Sequence, residues 1–172
     1  MDPVLIDLPP LADLIRLAHQ RRGLAPGSAD ELADLTGEDQ PARSALERTA
    51  AAFAGGLHKV AVDCDPDIRL RPDVLAAVCV VTREAIENAL AYGFPEGREG
   101  RVWVKLVPDE GRLRLTIRDS GIGITDLPPE PPGGAGIITA LARRLGGYAR
   151  LGSAPFGGGL VTMVFPSAPQ AT

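Results

Sequence analysis

From about residue 57 onward, two spacings of apolar residues take turns along the chain. In Arg101–Val107, Val102, Val104 and Leu106 share one side of an extended backbone. In Arg112–Arg118, Leu113, Leu115 and Ile117 alternate with Arg112, Arg114, Thr116 and Arg118. A period of two is that of a strand with one covered face, and these two strands read as an antiparallel pair turned at Asp109-Glu110-Gly111. His58–Cys64 predicts a strand before them, and Tyr148–Gly152 and Leu160–Phe165 predict two after them. Pro72 suits the first turn of a helix, and the apolar run behind it carries that helix to Tyr92, ahead of Gly93. Gly136 opens a second helix, Ile137–Leu145, which stops at Gly146-Gly147 with Arg143 and Arg144 in its last turn. The order β–α–β–β–α–β–β implies an α/β two-layer sandwich, a mixed sheet with its helices on one face.

The first third is more weakly specified. Leu11, Leu14, Ile15 and Leu17 predict a short amphipathic helix ending near Gly23, and alanine-rich Ala42–Ala54 predicts another, stopped by Gly55-Gly56. Between them lies a breaker-rich stretch with one helical turn at Asp30–Leu35. The division expected from this pattern is a helical segment over 1–55, a domain over 56–166 and a tail over 167–172.

Composition then narrows the function. The 172 residues suit one domain with an appendage, and 45% apolar content supports a packed core. A net charge of −4, no basic run and only 4% aromatics argue against a nucleic-acid groove. The longest apolar run, Val74–Val81, is too short to span a bilayer, and the start lacks a signal-peptide pattern. The expectation is a cytoplasmic protein with no membrane partner. Cys64 and Cys79, far from any CxxC or histidine pair, read as reduced structural thiols. Neither of the two lysines, Lys59 and Lys105, follows a glycine-rich loop, so a Walker-type phosphate loop is absent.

Three segments carry chemistry. Glu84 and Asn88 stand four apart and share one face of the long helix, where a carboxylate and an amide supply oxygen ligands suited to Mg²⁺. Asp119-Ser120-Gly121-Ile122-Gly123 follows a strand directly; a carboxylate there can accept from an exocyclic amine, and glycines let backbone approach a flat ring. Gly133-Gly134-Ala135-Gly136 leads into a helix, where successive N–H groups form an anion site. Taken singly, these are also a solvated helix stripe, an ordinary turn and a linker. Their order on the chain is what gives them weight.

That order resembles the Bergerat-type ATPase superfamily, which includes gyrase, heat-shock chaperone, mismatch-repair and histidine-kinase ATP domains. Glu84…Asn88-Ala89 is similar to its N box. Asp119-x-Gly121-x-Gly123 and Gly134-x-Gly136-Ile137 are similar to its two glycine boxes. Ala140–Gly147, the late Gly157-Gly158-Gly159 and Val161–Pro166 resemble bacterial sensor histidine kinases, and Phe94-Pro95 soon after Asn88-Ala89-Leu90 resembles their HWE-like group. The resemblance covers about residues 45–166 and implies ATP and Mg²⁺ as cofactors. It implies that Asn88 coordinates the metal, Asp119 reads the adenine amine, Gly121 and Gly123 flank base and sugar, and Gly134 and Gly136 face the phosphates. Residues 125–132 would form the lid. Glu84 would be the catalytic carboxylate near the γ-phosphate. The activity implied is that of a histidine-kinase-type protein kinase in two-component signalling, with a response regulator or other signalling protein as partner. An anti-sigma-type serine kinase and a non-catalytic phosphotransfer adaptor are the alternatives on the same fold.

The pattern departs from the family at several points. Ala91 stands where a Lys or Arg often follows the N-box Asn, leaving Arg83 or Arg143 to replace it. Gly159 stands where a Thr is usual; the nearest hydroxyl, Thr162, is the remaining candidate for the nucleotide, although strand alternation turns it to the other face. The lid holds four prolines. His19 is the one acceptor candidate on a predicted helix, and its neighbours do not match an H box; His58 begins a strand. A homodimer through a bundle of the N-terminal helices is compatible with the pattern, although their apolar stripes are short.

Overall fold

A computed structural model of the protein describes residues 10–21, 37–53, 58–92, 94, 99–121, 133–155 and 157–167. Its elements, in chain order, are α1 (Leu11–Arg21), β1 (Gln40–Pro41), α2 (Ala42–Ala51), β2 (His58–Cys64), β3 (Arg69–Leu70), α3 (Pro72–Tyr92), β4 (Gly100–Asp109), β5 (Arg112–Asp119), α4 (Gly133–Arg144), β6 (Tyr148–Ser153) and β7 (Gly159–Pro166). Five strands form one mixed sheet in the order β2-β4-β5-β7-β6. β2 runs parallel to β4, and the other pairs are antiparallel. The α/β sandwich expected from the two periods is the observed fold.

Local chemistry explains the junctions. Glu110 and Gly111 both adopt positive φ, 51° and 79°, so the β4–β5 loop has the twist of a two-residue hairpin. At the start of α3, Asp73 accepts the Val74 N–H at 2.9 Å and pairs with Arg71 at 3.0 Å. α4 ends as its sequence predicts: Gly146 has φ 84°, and Gly147 N–H donates to Ala142 O at 2.9 Å. Its start differs. α4 begins at Gly133, three residues before the predicted opening at Gly136. The glycines are helical here despite their low propensity, because the apolar face of Ile137, Ile138 and Leu141 is buried and tertiary packing holds the turn. The short β1–β3 ribbon pairs Gln40 with Leu70 and was not legible as a pattern, since two residues carry no period.

Alternation along the strands separates two faces. On one, Val102, Val104, Leu106, Leu115, Ile117 and Met163 are buried under α3 and its neighbours. Each fully buried aliphatic side chain contributes about 1.5–3 kcal/mol. The opposite face carries Lys59, Arg101 and Lys105 on β2 and β4, Arg112, Arg114 and Arg118 on β5, and Arg150 on β6. α3 is the central helix, touching α1, α2, α4 and the sheet. Leu14, Ile15 and Ala18 of α1, and Ala42, Ala45 and Leu46 of α2, belong to the same buried cluster as the sheet. The boundary drawn at 55–56 is therefore a break in sequence pattern, with one continuous core on both sides of it. Among the described residues, no helix is long and apolar enough to cross a membrane. The predicted turn at Asp30–Leu35 lies outside the described residues.

Candidate functional site

Asp119 is the last residue of β5, the middle strand of the sheet, and its side chain is on the helix-covered face with Ile117 and Leu115. It is 7% exposed. Its Oδ1 accepts two backbone hydrogen bonds, from Gly121 N–H at 2.8 Å and from Gly159 N–H at 3.0 Å. The first bends the chain sharply after β5. The second ties that bend to the start of β7, forty residues later. Ser120 fastens the other flank: its N–H donates to Arg101 O at 3.0 Å, and its Oγ accepts from Arg101 N–H at 2.9 Å.

The late glycines follow from this closeness. Gly158 has φ 83°, and a Cβ there would lie 1.8 Å from Asp119 O; at Gly159 a Cβ would lie 2.6 Å from Asp119 Oδ2. A side chain at 159 would press on this carboxylate, and the glycine there leaves Oδ2 uncrowded. Gly159 is thus a donor that sequence reasoning missed. A signal was present in the run Gly157-Gly158-Gly159, but its partner across the sheet was not.

With Oδ1 doubly occupied, no hydrogen bond among the described residues falls on Oδ2. A buried carboxylate oxygen without a donor is costly in isolation and suits a ligand amine. This fits the adenine end of ATP.

The long helix α3 supplies the next two candidates. Glu84 is buried and Asn88 half-buried, one helical turn apart. The Asn88 amide makes no hydrogen bond to any described residue. An amide oxygen beside a carboxylate is a donor set that fits Mg²⁺ when phosphate and water complete the shell. No cluster of three His, Cys, Asp or Glu occurs among the described residues. A metal here would therefore be shared with phosphate rather than caged by protein. Gly134 and Gly136 lie in the first turn of α4, which packs beside α3. A Cβ at Gly136 would meet nothing within 4 Å, so packing does not demand that glycine. The first-turn N–H groups of a helix have no intrahelical partner and suit an anion.

Other sequence candidates fall elsewhere. Thr162 stands on β7 in register with Thr116 and Arg150, on the face of the sheet opposite Asp119. The period of two turns it away from a ligand at Asp119, so its assignment to the nucleotide is corrected. Arg143 is in the last turn of α4, about 10 Å along the axis from Gly136 at 1.5 Å per residue. Gly123 and the lid at 125–132 lie outside the described residues, as does Pro95.

Comparison with known proteins agrees with this geometry. A family model described as a histidine kinase-like ATPase domain matches residues 41–153. The anti-sigma F factor of Bacillus velezensis is 42% identical over 55 residues, 32% of this chain and 38% of that protein. The anti-sigma F factor of Bacillus thuringiensis is 40% identical over 79 residues, 46% of this chain and 47% of that protein. The chain thus spans less than half the length of these curated relatives. Among solved structures, the Erythrobacter litoralis blue-light activated histidine kinase aligns with a TM-score of 0.67 and 27% identity over 76% of this chain and 43% of that one. Its histidine kinase domain aligns with a TM-score of 0.71 over 92% of this chain and 86% of that one; at 23% identity this second likeness concerns the fold. With the model match covering most of the chain and the same sheet, helices and glycine turns in place, the protein belongs to the histidine kinase-like ATPase domain family.

Proposed function

We propose that this domain binds Mg-ATP between Asp119, the C-terminal half of α3 and the first turn of α4, and passes the γ-phosphoryl group to a side chain of a partner protein. The observation that carries the reading is the Asp119 carboxylate, buried, held through Oδ1 by two N–H groups and with no hydrogen bond to Oδ2 from any described residue. A fixed acceptor of that kind selects an exocyclic amine over a carbonyl. Gly121, and Gly123 by sequence, would let the backbone lie against base and sugar. The N–H groups at Gly134 and Gly136 would receive phosphate oxygens. Magnesium would neutralise charge on those oxygens, with the Asn88 amide oxygen as its protein ligand. Glu84 would orient the attacking group and take up its proton. The protein's part in phosphoryl transfer is mostly positioning and charge stabilisation, so these contacts matter more than any one base.

In this reading the acceptor lies in trans. α1, the helix that carries His19, is eleven residues long and is packed against α3 and α4 through Leu14, Ile15 and Ala18. A second reading concerns the type of acceptor. The 40–42% identity to anti-sigma F factors, over 55 and 79 residues, supports an anti-sigma-type regulator that phosphorylates a serine.

Two measurements test this. Millimolar ADP with Mg²⁺ raises the melting temperature by ligand linkage if the site binds nucleotide, and the shift shrinks without the metal. An unchanged melting temperature would sink the reading. With γ-labelled ATP and a partner, acid-stable label on the partner supports serine, and acid-labile label supports histidine.

A further inference from the structure

The nucleotide reading uses the helix-covered face of the sheet. The other face is unlike the rest of the molecule. On it Arg101, Lys105 and Arg118 surround Trp103, and Lys59, Arg114 and Arg150 stand further out. These six cations, and Arg112 at the edge of the same face, are exposed. The carboxylates in the same rows are Asp63 and Asp109, and Asp109 is already paired with Arg114 at 2.6 Å. This basic surface belongs to a chain whose net charge is −4. The middle is not apolar either: Thr116 and Thr162 stand side by side between Lys105 and Arg150, offering hydroxyls amid cations.

From this arrangement we propose that the open face of the sheet is a docking surface for an acidic segment of a partner protein, bound through its Asp and Glu carboxylates. Three observations favour this occupant. Guanidinium groups with free donors match carboxylates in a two-pronged geometry. Each aromatic ring, 38% exposed at Trp103 and 42% at Tyr148, already carries an arginine: Arg118 sits 5.4 Å over Trp103, and Arg150 sits 5.4 Å over Tyr148. Rings capped by their own arginines are poor stacking platforms for bases, which argues against single-stranded nucleic acid. A symmetric pair of this chain through the same face would set cations against cations, which argues against a second copy. The size sets the strength. Four inter-strand spacings and about eight residues of strand give roughly 19 by 25 Å, or about 500 Å². That is less than the roughly 800 Å² per partner of a stable interface, so the contact is transient and salt-dependent.

The proposal is independent of nucleotide binding, because the two faces share no side chain. Its test is fluorescence anisotropy of a labelled polyglutamate peptide of about fifteen residues with the full chain. Binding is expected at low salt, falling as salt is raised. Arg118→Glu and Lys105→Glu are each expected to weaken it about tenfold or more. Arg43→Glu, the same charge change on exposed α2, is expected to leave it within about twofold. Thermal unfolding without ligand checks that each variant is folded. Equal losses for Arg43→Glu and Arg118→Glu would overturn the proposal, since net charge alone would then govern binding. So would an oligo-dT of equal charge that binds more tightly than the peptide and is lost with Arg118→Glu. A concentration-dependent dimer that Arg118→Glu dissociates would assign the face to a second copy and overturn it as well.

Discussion

Asp119→Asn separates the two jobs of one side chain. The amide keeps a carbonyl oxygen that can occupy the place of Oδ1 and accept from Gly121 and Gly159, now without charge. A charge-assisted bond is stronger than a neutral one by about 0.5–1.5 kcal/mol, so two of them cost the fold about 1–3 kcal/mol. The larger effect is at Oδ2. There an acceptor becomes an NH₂ donor, facing the adenine amine. The loss of a hydrogen bond to a charged group, about 1.5–3 kcal/mol, adds to a buried unpaired donor at about 1–3 kcal/mol. Their sum, about 2.5–6 kcal/mol, weakens ADP binding by at least about sixtyfold. Inosine diphosphate, with a carbonyl at the same ring position, is expected to lose far less, because the new amide can donate to it. Calorimetric titration of both nucleotides with Mg²⁺ measures the two affinities, and unfolding without nucleotide checks the fold. If the variant bound ADP within about threefold of the wild type, the placement of adenine against Asp119 would be wrong.

Three further outcomes follow from the same geometry. Gly159→Ala places a Cβ 2.6 Å from Asp119 Oδ2, so urea unfolding should show a loss of about 1–3 kcal/mol from overpacking, with weaker ADP binding alongside. Ile15→Ala empties a site that is 1% exposed and should cost about 2–5 kcal/mol within a single cooperative transition; a separate early transition for α1 would contradict the shared core. Burial, reinforced by neighbouring Asp65, pushes the Cys64 thiol up from 9.0 to about 11. The unfolded thiol ionises first, so the stability it contributes is intact below pH 9 and is lost as pH rises from 9 to 11. Melting temperatures across that range should fall less steeply for Cys64→Ala than for the wild type.

The order of elements and the glycine punctuation belong to the sequence. Val102, Val104 and Leu106 on one strand, and Leu113, Leu115 and Ile117 on the next, encode a sheet with one covered face, because burial has to repeat with the backbone's period of two. Asp119 and the glycines around it were legible for the same local reason: a turn and a close approach need those residue types wherever they occur. Chain-distant partnerships were not legible. The bond from Gly159 to Asp119, the joining of α1 and α2 to the sheet's core, and the gathering of cations from β2, β4, β5 and β6 on one face all arise from strand order. Strand order is settled by which buried faces pack together across the whole molecule. A one-dimensional pattern states which side of each strand is apolar, and only the folded chain decides which strands lie next to one another.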